Sequence, residues 1–123
     1  MNIISFFQSD YNFSATLAKV CDVSADRLFF ENKLDSLKKY SNQNHKVIII
    51  DLSDYRDSLE MMIEKIRNSG SFIVYGLISK MDIKLQKQAI ELGFDMVMTK
   101  SNFLHNFKTI QKQILNISKP SKT

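Results

Sequence analysis

Four polar side chains in this sequence stand where a phosphoryl group could be handled: Asp10, Asp51, Ser79 and Lys100. Asp51 directly follows the aliphatic run Val47-Ile48-Ile49-Ile50. A carboxylate at the end of such a strand serves either as a nucleophile towards phosphorus or as a cap for the loop that follows. Asp10 comes shortly after Ile3-Ile4-Ser5-Phe6-Phe7 and suits two tasks. It can cap the next helix, or it can join Asp51 as a second acid offering oxygen ligands to Mg²⁺. Lys100 follows Met96-Val97-Met98-Thr99, and Ser79 follows the run that begins at Phe72. An ammonium and a hydroxyl at such places neutralise and hydrogen-bond phosphoryl oxygens, or they remain ordinary loop groups.

These side chains meet only if the strands before them lie side by side, about 4.8 Å apart. The hydrophobic pattern predicts that they do. Short apolar runs at Ile3–Phe7, Leu28–Phe30, Val47–Ile50, Phe72–Tyr75 and Met96–Met98 read as five strands. Helical patterns alternate with them. Asp10 caps a helix carrying Phe13, Leu17 and Val20, and Asn32 caps one carrying Leu34, Leu37 and Tyr40. A third presents Leu59, Met62, Ile63 and Ile66 and ends near Asn68-Ser69-Gly70. Asp82 caps a fourth, with Leu85, Ala89, Ile90 and Leu92, closed by Gly93. The fifth carries Leu104, Phe107, Ile110, Ile114 and Ile117, with His105 at its start. The third strand is apolar on both faces, as a central parallel strand requires. Strand–helix alternation then gives an α/β, doubly wound parallel sheet whose ligands gather at the carboxyl ends of the strands. Residues 1–117 form one domain, and residues 118–123 read as a short basic tail.

Composition narrows the function. Cys21 is the only cysteine, so neither an internal disulfide nor a cysteine-rich zinc site can form, and its apolar setting predicts a buried small hydrophobe. His45 and His105 lack partners at metal-ligand spacing, and Met61, Met62, Met96 and Met98 read as core filler. Gln8-Ser9-Asp10-Tyr11-Asn12 contains no glycine, which argues against a dinucleotide or Walker-type phosphate loop. No signal-peptide pattern opens the chain and no apolar run is long enough to span a membrane, so a cytoplasmic location is expected. Charge is uneven: residues 1–61 carry net −2, residues 62–123 carry net +6, and no acid follows Met96. That basic segment suits an acidic protein surface; nucleic acid is the weaker alternative, since no reading motif accompanies it.

The run Val47-Ile48-Ile49-Ile50-Asp51-Leu52 and the run Ala89-Ile90-Glu91-Leu92-Gly93-Phe94-Asp95-Met96-Val97-Met98-Thr99-Lys100 carry a resemblance. Over nearly its whole length the chain resembles the receiver domains of two-component response regulators. The resemblance implies a CheY-like, flavodoxin-like three-layer sandwich with strand order 2-1-3-4-5, three helices on one face and two on the other. It implies Asp51 as phospho-acceptor, Lys100 and Ser79 as phosphate contacts, and Mg²⁺ held by Asp10 and Asp51. The chain also departs from the receiver pattern. Only one acid, Asp10, follows the first strand, and an ungapped count back from Asp51 lands instead near Phe7. Counting back from Lys100 reaches Ile78, one residue short of Ser79, and Ser53-Asp54 replaces the usual Met-Pro.

The expected function is therefore a stand-alone, non-enzymatic signalling domain of the pseudo-receiver kind. It would act through a protein partner, or a second copy, on the face formed by the fourth helix, fifth strand and fifth helix. The alternative is a phospho-accepting regulator in a phosphorelay, with Asp51 modified by a histidine kinase.

Overall fold

A computed structural model describes residues 1–117; the expected tail at 118–123, and the side chain of Ile117 in the fifth-helix stripe, lie outside the described residues. The elements are β1 (Asn2–Phe6), α1 (Tyr11–Ser24), β2 (Arg27–Phe30), a 3₁₀ stretch (Leu34–Tyr40), β3 (Lys46–Asp51), a 3₁₀ turn (Arg56–Ser58), α2 (Leu59–Ser69), β4 (Ile73–Ile78), α3 (Ile83–Leu92), β5 (Met96–Thr99), α4 (Lys100–His105) and α5 (Phe107–Ile117). The strands form one parallel sheet in the order β2-β1-β3-β4-β5, the order that the receiver resemblance implies.

Alternation along β3 divides the core into two layers. Ile48 and Ile50 point to the face covered by the 3₁₀ stretch, α2 and α3. Val47 and Ile49 point to the face covered by α1, α4 and α5. Successive Cβ atoms of a strand face opposite ways, so four consecutive aliphatic residues fill both layers. Each such side chain contributes on the order of 1.5–3 kcal/mol by leaving water. Cys21 is buried and free, and burial pushes its thiol pKa up to about 11.

Several local expectations change. Asn32 does not cap a helix: Lys33 occupies the N-cap position without a side-chain bond, and the segment that follows is 3₁₀. Leu37 and Tyr40 are nevertheless buried, as their spacing predicts. β4 runs on through Gly76 to Ile78, farther than its apolar run suggested. Gly76 does not end the strand, because it lets Leu52 lie against the backbone: a Cβ there would sit 2.8 Å from a Leu52 methyl carbon. Gly93 closes α3 with φ 114°, a left-handed cap that glycine tolerates.

The single fifth helix is two helices. Thr99 caps α4 through the Asn102 N–H at 3.1 Å, which starts the helix at Lys100 and turns Phe103 into the core. The Asn106 backbone N–H and side-chain amide both donate to the Asn102 carbonyl at 2.9 Å, and α5 begins afresh at Phe107. His105 therefore ends α4 rather than starting the fifth helix. Ile90, Met61 and Met96 are exposed and not core residues, whereas Met62 is buried.

Candidate functional site

The sheet register brings the chemistry to one edge. Phe6 pairs with Ile50, so Phe7 stands level with Asp51 as the chain leaves β1. On the other side Asp51 pairs with Leu77, and Ile78 pairs with Thr99, directly before Lys100. Apolar residues thus flank Asp51 in the strand register, and the side chain is 1% exposed as a residue. Asp10 arrives from the β1–α1 loop, where Oδ1 caps α1 as expected by accepting from the Phe13 N–H at 3.0 Å, and Oδ2 faces Lys100.

Lys100 Nζ lies 2.8 Å from Asp10 Oδ2 and 2.8 Å from Asp51 Oδ2. Its position at the first turn of α4 aims the side chain back over the sheet edge. The Phe7 ring, stacked on Phe13 with centroids 5.0 Å apart, covers the ammonium at 5.4 Å. Asp51 Oδ1 accepts from the Ser53 and Asp54 N–H groups at 3.0 and 3.3 Å, so this carboxylate both caps its loop and pairs with Lys100. The hydrogen bond from Lys100, then that from the Phe13 N–H, holds Asp10 below the usual carboxylate range. Burial opposes the charge on Lys100, but the bonds to Asp10 and Asp51 outweigh it and carry the lysine pKa above its ordinary value.

A third acid joins this edge. Asp54 Oδ2 accepts from the Gln8 N–H at 2.8 Å and the Ser9 N–H at 3.3 Å, and Oδ1 accepts from the Ser9 hydroxyl at 2.7 Å. Asp54 straps the loop after β3 to the loop after β1. Burial raises its pKa, yet these hydrogen bonds and the nearby Lys100 charge leave it lowered. Sequence reasoning noted Asp54 only as part of a departure from a pattern. The available signal was an acid three residues past Asp51, in a loop at the same sheet edge.

Ser79 is not part of this arrangement. It is exposed, lines a shallow depression with Ser53, Arg56 and Lys80, and among the described residues has no hydrogen bond to Asp51 or Lys100. Nor do the acids present a metal cage: among the described residues no group of three or more His, Cys, Asp or Glu side chains is placed to hold an ion. Mg²⁺ needs near-octahedral oxygen ligation. Here an ammonium stands between Asp10 and Asp51, and the remaining oxygens are spent on backbone caps. As arranged, these donors do not fit Mg²⁺.

Comparison with solved structures places the architecture. A response regulator from Hahella chejuensis is similar with TM-score 0.64 and 17% identity, covering 95% of this chain and 92% of its own. A response regulator in red light signaling of R. palustris is similar with TM-score 0.67 and 14% identity, over 99% of both chains. This is the receiver fold of response regulators. No protein-family profile and no curated protein matches the sequence. The receiver fold is thus matched through its layers and strand order. No helix among the described residues is long and apolar enough to cross a membrane.

Proposed function

We propose that this receiver-like domain is an atypical, pseudo-receiver signalling module that works by binding another protein, catalyses no turnover, and keeps Asp51 in a lysine-locked pocket rather than cycling it through phosphorylation. The observation that carries this reading is the position of Lys100, 2.8 Å from both Asp10 and Asp51. A carboxylate attacks phosphorus with a free lone pair and with its leaving group's charge neutralised by a metal or cations. Asp51 has one oxygen on two loop N–H groups, the other on Lys100, and almost no exposure. The hydroxyl that would receive the phosphoryl oxygens, Ser79, faces solvent.

The face of α3, β5 and α5 is the surface through which the domain would meet its partner. It exposes Ile83, Ile90 and Met96 next to Lys87, and the chain beyond Met96 carries no acid. Such a mixed apolar and basic face suits an acidic protein surface more than nucleic acid. The test is incubation with acetyl phosphate and Mg²⁺, followed by intact mass. The expected result is no phosphoryl adduct, with partner binding equal in wild type and Asp51→Asn. An adduct that disappears in Asp51→Asn would instead support the alternative in which Asp51 accepts a phosphoryl group.

A further inference from the structure

The break between α4 and α5 leaves a groove that the locked pocket does not use. It runs between the last turns of α1 and the α4–α5 corner and encloses about 470 Å³. Its walls are apolar: Val20 and Val23 from α1, Leu104 from α4 and Phe107 from α5. Val23 is 88% exposed, whereas Phe13, Leu17 and Cys21 of the same helix are buried. Leu104 is left at the groove because α4 turns Phe103, one residue earlier, into the core.

The rim is cationic. Lys19 stands on the α1 side and Lys108 on the α5 side, and no Asp or Glu lines the groove. α4 and α5 contain no acid at all over Lys100–Ile117. An apolar floor flanked by helices offers a seat for another helix, which reads such a floor through residues at i, i+3, i+4 and i+7. Lysines along both rims favour a visitor with acidic flanks, by attraction and by rejection of basic competitors.

We infer that the α1/α4–α5 groove docks an acidic amphipathic helix of a partner protein, its apolar stripe on Val20, Val23, Leu104 and Phe107 and its carboxylates against Lys19 and Lys108. The inference goes beyond the reading of the Asp51 pocket and does not rest on it.

The probe is a random-peptide display library selected on the intact chain. Enriched peptides are then synthesised and titrated by fluorescence anisotropy. The expected winners are acidic, with apolar residues at helical spacing. Their binding should weaken at least tenfold in the Lys19→Glu/Lys108→Glu double variant and severalfold in Val23→Asn, and it should weaken with added salt. All three substituted residues are exposed, so the variants keep the fold, which circular dichroism verifies. Asp51→Asn should leave binding unchanged, which separates failure here from failure of the pocket reading. The inference is overturned if no peptide is enriched, if the winners lack acids, or if binding ignores Val23→Asn and the lysine reversals. A concentration-dependent dimer abolished by Val23→Asn would overturn it in favour of a second copy. Binding to phosphatidylglycerol vesicles abolished by the lysine reversals would overturn it in favour of a lipid surface.

Discussion

At the carboxyl edge of the sheet one cation, Lys100, is shared by Asp10 and Asp51; at the opposite edge another, Arg67, is shared by Asp95 and two backbone carbonyls. Both cations tie together segments far apart in sequence. Arg67 donates to the Phe72 carbonyl at 2.6 Å, the Gly93 carbonyl at 2.7 Å and Asp95 at 3.1 Å, joining the end of α2 to the starts of β4 and β5. The difference is burial. The side chains of Arg67 and Asp95 are 39% and 46% exposed, whereas those of Lys100 and Asp51 are 11% and 2% exposed. Where water reaches the pair, it can replace either partner. Where it does not, each charge requires the other. The carboxyl edge is thus a set of mutually dependent charges, and the amino edge is a surface clasp.

The largest expected effect comes from breaking the buried set. Lys100→Ala leaves Asp51 as a buried carboxylate without its cation, which costs about 3–5 kcal/mol. Urea denaturation should show the loss, and adding Asp10→Asn and Asp51→Asn to a Lys100→Met background should restore much of it. If Lys100→Ala is no more damaging than Arg67→Ala, the contrast between the two edges fails.

Asp54→Ala comes next, at about 2 kcal/mol, for a charged acceptor of several hydrogen bonds. Its sharper signature is local: amide exchange at Gln8 and Ser9, the two N–H donors to Asp54, should quicken while β3 stays protected. Slow exchange in the variant would mean that the strap is not what holds the loop.

Arg67→Ala should cost about 1 kcal/mol, since its ion pair is exposed and only its carbonyl bonds are lost. Raising salt should change wild-type stability little through Arg67 and less still through Lys100, because buried pairs are poorly screened.

The pH dependence has the smallest effect and the clearest sign. Asp10 and Asp54 have lowered folded pKa values, so their contribution is fully present above the ordinary carboxylate range and fades as pH falls through the lowered values. Lys100 has a raised folded pKa, so its contribution is present below the ordinary lysine range and fades only as pH rises through the raised value. The stability gap between wild type and Lys100→Ala should therefore be level near neutrality and shrink towards acid. A gap that grows on acidification would contradict the pairing.

Much of this arrangement was legible in the sequence, for identifiable reasons. Four consecutive aliphatic residues before Asp51 required a strand buried on both faces, and that fixed the layers and the edge on which Asp51 lies. The Gly93 cap and the short strand after it put Lys100 at the same edge. Three features were hidden because they depend on neighbours in space. Gly76 looks like an interruption until Leu52 is seen lying on it. The α4–α5 break depends on Thr99 and Asn106 acting as caps, and a hydrophobic stripe does not report caps. Asp54 gains its role from the loop after β1, forty-five residues away in the chain from Ser9.

The most direct test of the locked pocket is an amide NMR titration of the intact chain with Mg²⁺, then with Mg²⁺ and beryllofluoride, a mimic of an aspartyl phosphate. The predicted result is an unchanged spectrum around Asp10, Asp51 and Lys100 in both steps. Saturable shifts centred on Asp51 and Lys100 that vanish in Asp51→Asn would show that Lys100 yields its place to a metal and a phosphoryl group, and would contradict the account.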